Sequence, residues 1–177
     1  MVRSVLLSLV LISGVGAAAA QEAALPNAPV PALDLHRYAG TWHEIARLPN
    51  RFEDDCVSGI TATYTPLSDG RIAVTNRCVE EDGEVSVAEG IARPGGTLPS
   101  QLEVRFAPKW LSFLPFVWAD YWVVSLDPDY QWAIVGEPDR DYLWFLSRQP
   151  TMDAEALEDM KARARTLGYD LGELIVN

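Results

Sequence analysis

The stretch Gly40-Thr41-Trp42-His43-Glu44-Ile45-Ala46-Arg47 decides the reading of this chain. Side chains alternate along a strand, so Trp42, Glu44 and Ala46 are expected on one face and Thr41, His43 and Ile45 on the other. Working outward, short segments of strand character recur at 59–65, 71–79, 85–93, 101–107, 120–126, 131–136 and 142–147. Turn residues part them: Ser68-Asp69-Gly70, the acidic Glu80-Glu81-Asp82-Gly83, Pro94-Gly95-Gly96, Asp127-Pro128-Asp129 and Pro138-Asp139-Arg140-Asp141. With the opening stretch they make eight strands. Regular short strands with a turn signal at each joint argue for an all-β barrel or sandwich. Consecutive antiparallel neighbours favour an up-and-down barrel, which leaves no exposed edge.

One helix follows the strands. Thr151 is expected to cap it, Asp153 and Glu155 suit its positive end, and Gly168 stops it. Leu157, Met160, Ala164 and Leu167 fall on one stripe at helical spacing, which predicts packing on the barrel's outer wall. Residues 171–176 return as a short strand or extension. The expected fold is therefore all-β: an eight-stranded antiparallel up-and-down barrel with one C-terminal helix on the outside.

A chain of 177 residues suits one domain with a sizeable core. Its net charge of −11 argues against nucleic acid as a partner and against electrostatic attachment to anionic lipid. Residues 1–20 read as a secretory signal: Arg3 is followed by a short apolar run and by Ala18-Ala19-Ala20, a small-residue cleavage site. Losing Arg3 takes the 14 basic residues to 13 against 25 acidic ones, a net charge of −12. Residues 21–32, rich in Ala and Pro, read as an arm or tether. The barrel domain then occupies 33–177. Export makes a disulfide the default for Cys56 and Cys78, which the turn at Asp69-Gly70 brings roughly opposite each other. A metal role is not expected, because no histidine stands at ligand spacing.

The lumen decides what such a barrel does. Strand phase predicts Ala62 and Tyr64, Val74 and Asn76, Gly90 and Ala92, Val104 and Phe106 as inward residues. Tyr121 and Val123, Ala133 and Val135, and Tyr142 and Trp144 complete the set, with Glu44 on the face of Trp42. Many are Ala or Gly, too small to fill an eight-stranded barrel, while the aromatics supply broad apolar walls. The pattern predicts a cavity for one small hydrophobic ligand. Glu44 is expected to be buried and to hold a hydrogen-bonding partner. The segment 109–118, with Trp110, Phe113, Phe116 and Trp118, is strongly apolar and interrupted by Pro115. A lid, a membrane- or subunit-contacting patch and a packed loop all fit it. The lid or transient membrane contact is preferred, because exposed apolar patches usually mark interaction sites.

Three regions in this order and spacing resemble the signature regions of the lipocalins. They are Gly40-Thr41-Trp42 with Glu44-Ile45-Ala46-Arg47, the run Tyr121-Trp122-Val123-Val124-Ser125-Leu126-Asp127-Pro128-Asp129-Tyr130, and Tyr142-Leu143-Trp144-Phe145-Leu146-Ser147-Arg148. The nearest branch is that of the bacterial outer-membrane lipocalins related to apolipoprotein D. The resemblance implies a barrel that binds fatty acids, phospholipids or other small hydrophobic molecules, with Arg148 lying over Trp42 at the closed end. The lipidated N-terminal cysteine of the best-known bacterial members has no counterpart here. The expected location is thus exported, periplasmic and soluble, with outer-membrane association as the alternative. His43 stands where the family usually has tyrosine, on the outward face.

The leading function is a non-catalytic carrier or scavenger of fatty acids, lysophospholipids or similar molecules, needing no cofactor. Two rivals differ in class. A lipid-modifying or isomerase enzyme would have to work with Glu44 and a tyrosine, since the two histidines, His36 and His43, are not predicted to face the lumen. A chaperone-like module would bind proteins through the apolar loop 110–118, and a filled lumen would favour it.

Overall fold

The computed structural model describes residues 25–108, 111, 114 and 117–177. The expected signal segment and Trp110, Phe113 and Phe116 lie outside the described residues. Eight strands form the barrel: β1 (Gly40–Arg47), β2 (Cys56–Pro66), β3 (Ile72–Glu80), β4 (Val85–Pro94), β5 (Gln101–Arg105), β6 (Ala119–Leu126), β7 (Trp132–Gly136) and β8 (Leu143–Ser147). Each pairs antiparallel with its successor, and β1 pairs with both β2 and β8, so the sheet closes. A short β9 (Ile175–Val176) adds to the late part of β1, where β2 has diverged.

A one-turn α1 (Leu35–Tyr38) precedes the barrel, and α2 (Ala154–Thr166) lies on its flank. The cap of α2 is Asp153, whose carboxylate accepts from the Ala156 amide at 2.8 Å. The sequence expectation of Thr151 is corrected by two residues, because helical geometry begins only at Ala154. Met160 and Ala164 bury the helix's apolar stripe against Ile45, Ala46, Val124, Ile134 and Phe145. A separate apolar cluster fills the inner side, with Trp42, Tyr38, Leu33, Val74, Leu102 and Val123 among its members.

A bulge in β1 changes the expected phase. Glu44 opposes Leu146 and Ala46 opposes Phe145, so one extra residue sits between them. Ala46 therefore joins Ile45 in the outer cluster rather than sharing the face of Trp42 and Glu44. Arg47 swings to the side of Glu44. The described part of the N-terminal arm, residues 25–32, is docked. Leu25 N–H donates to Thr166 O at 2.8 Å, Asn27 Nδ2 to Glu137 O at 2.6 Å and Val30 N–H to Val123 O at 2.8 Å. Cys56 and Cys78 are disulfide-bonded and tie β2 to β3, a restraint on the unfolded chain that contributes about 3 kcal/mol.

One end of the barrel is shut by Arg148. Its guanidinium carbon lies 3.8 Å from the centre of the Trp42 ring. The same group donates to Thr41 O at 2.9 Å, Arg37 O at 2.7 Å, Tyr38 O at 3.1 Å, Ala39 O at 2.9 Å and, through Nε, Tyr130 O at 3.3 Å. Helix ends leave carbonyls unpaired, and here a cation serves those of α1. Gly40, at φ +94°, turns the chain from α1 into β1 directly beneath it. Arg148→Ala is expected to lower stability by about 2–4 kcal/mol, or Tm by roughly 5–15 °C, from the lost stacking and stranded carbonyls. Calorimetry reads the loss, while affinity for an apolar ligand stays nearly unchanged.

Candidate functional site

Above the closed end the barrel is hollow. The cavity measures about 500 Å³ and is lined by residues of the β1–β2, β5–β6 and β7–β8 connections, Phe52, Trp118 and Tyr142 among them, a size typical of small-molecule sites. Ala62, Val74, Ala92, Val104, Phe106, Tyr121 and Trp144 supply its walls, joined by Tyr64, Asn76, Tyr142 and Glu44. These residues come from seven strands, β1 to β6 and β8, with Phe106 and Tyr142 just outside β5 and β8, and alternation places them on one face. The predicted inward residues Gly90, Val123, Ala133 and Val135 do not reach its surface. Val123, Ala133 and Val135 are fully covered by inner-cluster neighbours. Gly90 lies under the Phe106 ring, which comes within 2.7 Å of where a Cβ would stand.

Polar groups gather at the mouth. Glu44 accepts from Arg47 Nη1 at 3.1 Å and from Asn177 Nδ2 at 3.0 Å. Glu53, from the β1–β2 connection, lies 3.3 Å from Arg47 Nε and accepts from Asn50 Nδ2 at 3.0 Å and Trp144 Nε1 at 3.3 Å. One guanidinium thus serves two carboxylates. Asn76 Oδ1 is buried in the wall and has no hydrogen-bond partner among the described residues. Phe52, Tyr142 and Trp144 form an aromatic run beside this set, the last two stacked at 9°. Trp118, also in the lining, lies under two cations, Arg93 at 3.8 Å and Arg105 at 5.2 Å. Arg105 Nη1 holds the loop's departure from β5 through Ala107 O at 2.9 Å and Pro108 O at 2.7 Å.

Sequence reading did not find Arg51, Phe52 and Glu53, which line the mouth from a connection without periodicity. It also missed Arg47, whose position depends on the bulge. Of the two histidines, His36 sits on α1 and His43 on the outer side of β1, and neither lines the cavity.

Burial, and next the charge of Glu53, push the Glu44 carboxyl up to about 7 from its ordinary 4.5, against the pull of Asn177 and Arg47. A carboxyl raised on folding holds its proton more tightly in the native state. Its contribution to stability is therefore most favourable below 4.5 and is lost as pH rises through about 7. Glu44→Gln is expected to flatten that decline, gaining up to about 3 kcal/mol relative to the parent between roughly pH 4 and pH 8. Paired thermal melts across that range measure it; parallel profiles would contradict it.

Residues 33–177 match the lipocalin-like domain family. Temperature-induced lipocalin-1 of Arabidopsis thaliana is 39% identical over 148 residues, covering 82% of this chain and 78% of its own. Outer membrane lipoprotein Blc of Escherichia coli K12 is 41% identical over 144 residues, 80% of this chain and 77% of its own. Apolipoprotein D of Bos taurus is 34% identical over 170 residues, 89% of this chain and 85% of its own. Among solved structures, insecticyanin from the tobacco hornworm Manduca sexta superposes with a TM-score of 0.62 at 23% identity, covering 86% of this chain and 87% of its own. Lobster apocrustacyanin A1 does so with 0.61 at 15%, covering 80% and 77%. Closed barrel, flanking helix, Arg148 over Trp42 and these matches agree: the chain belongs to the lipocalin family, in kinship with Blc and apolipoprotein D.

Proposed function

We propose that the chain is an exported, non-catalytic carrier or scavenger that holds fatty acids, lysophospholipids or a comparable hydrophobic molecule in its barrel. The observation that carries this reading is the cavity of about 500 Å³, walled by Ala62, Val74, Ala92, Val104 and Phe106 and open at one end. Burial contributes about 0.8 kcal/mol per methylene, so a partly enclosed acyl chain reaches micromolar affinity after association costs. Enzyme chemistry has little to work with here. The carboxylates of the mouth are engaged with Arg47, and no imidazole faces the cavity.

Apolar side chains at the mouth support delivery from a bilayer. Phe52 is 58% exposed and Val57 52% exposed, both beside the opening. The connection between β5 and β6, which carries Trp110, Phe113 and Phe116, leads into Trp118 at the same rim. The acidic hairpin at Glu80, Glu81 and Asp82 lies at this end too and favours zwitterionic over anionic lipid surfaces.

Titrating lysophosphatidylcholine into delipidated protein is expected to quench Trp fluorescence with one site per chain. Ala62→Trp, which fills the cavity, is expected to abolish that binding while the protein still melts cooperatively. Retained binding in the filled variant would remove the cavity from the account. Replacing Trp110, Phe113 and Phe116 together by serine is expected to slow uptake from phosphatidylcholine vesicles several-fold with equilibrium affinity unchanged. Equal transfer rates would exclude membrane contact by this loop.

A further inference from the structure

The inner end of the cavity meets three phenols in series. Tyr38 Oη lies 2.7 Å from Tyr121 Oη, and Tyr121 Oη lies 2.8 Å from Tyr64 Oη. Three hydroxyls carry three protons, and two hydrogen bonds use two of them. One proton remains, whichever way the bonds run. Among the described residues no further acceptor is within hydrogen-bond reach of these oxygens.

Where that proton sits follows from burial. If Tyr64 donates to Tyr121 and Tyr121 to Tyr38, the spare proton is on Tyr38, which is 1% exposed and does not line the cavity. A donor stranded in the core is what folded proteins avoid. Every other arrangement leaves it on Tyr64 or Tyr121, and both line the cavity. Burial pushes all three phenols up, so the protons stay on oxygen. The same dry surroundings disfavour an anion as the acceptor.

We propose that this spare hydroxyl selects the ligand: an elongated apolar molecule whose innermost end carries an uncharged oxygen acceptor, such as a ketone, ester or alcohol oxygen. The inference rests on the carrier reading and narrows it, because a plain acyl tail reaching the floor leaves the donor unmatched. Removing one phenol does not remove the donor. Without Tyr64, the pair Tyr38–Tyr121 has two protons and one bond; without Tyr121, Tyr64 keeps its own.

The test therefore uses Tyr64→Phe/Tyr121→Phe together. The probes are a long-chain methyl ketone, the alkene in which C=CH₂ replaces its C=O, and lysophosphatidylcholine as reference. The native protein is expected to bind the ketone about fivefold more tightly than the alkene, the ratio one neutral hydrogen bond supports. The double variant is expected to lose that preference. The infrared carbonyl band of the ketone bound to native protein is expected to lie below its position in alkane solvent, a readout that stands even if the variant does not fold. Equal binding of ketone and alkene with an unshifted band overturns the proposal and leaves the carrier intact, the phenol then being served by water. Uptake of the lysolipid alone also overturns it. Failure of all three probes to bind removes the carrier reading itself.

Discussion

The guanidinium of Arg148, stacked on Trp42 and bonded to five carbonyls, is the contact on which the rest of the barrel depends. It joins the end of β8 to the start of β1 and to the turn of helix before it. An eight-stranded sheet can close with its interior filled or hollow. Here one end is sealed by a single planar cation and a wholly buried indole, backed by Tyr38 and Leu33. Because that seal is local, the side chains above it need not meet across the lumen. The small residues Ala62, Ala88 and Ala92 then leave open space instead of a defect.

Polarity is distributed unevenly along the cavity. The mouth holds two carboxylates around Arg47, tied to Trp144 and Asn177. The walls are largely apolar, with Asn76 among them, and the floor offers neutral hydroxyls. The charged groups are themselves largely buried, and gathering both carboxylates around one guanidinium offsets part of their desolvation cost. The helix α2 stays outside, where it covers the outer face of β6 and β7, while Val30 of the arm packs against the inner cluster. Framework and cavity are therefore separable. The apolar cluster under α2 holds the sheet together, and the inner face is free to be selected for a ligand.

Much of this was legible in the sequence, for physical reasons. Period-two alternation in 71–79 and 142–147 and turns such as Asp69-Gly70 mark strands and their partners without tertiary information. The helical stripe through Met160 and Ala164 is equally local. What escaped depends on single extra residues and on connections. The bulge between Glu44 and Ala46 exchanges the two faces of β1 for its last residues, and nothing local announces it. Arg47 was therefore not placed beside Glu44, nor was Glu53 placed across from both. Val123, Ala133 and Val135 have inward phase as expected but are covered by larger neighbours, a matter of packing that phase alone does not reveal. Tyr38 lies in a four-residue helix too short to leave a periodic signal, so the phenol series could not be assembled in advance.

The central claim is that the lumen is empty of side chains so that it can hold one hydrophobic molecule. Native mass spectrometry of the protein as purified, with extraction and identification of what is released, tests it most directly. One apolar molecule per chain, dissociating on activation, is the expected result. A bare-mass protein that also takes up no apolar compound when offered would contradict it.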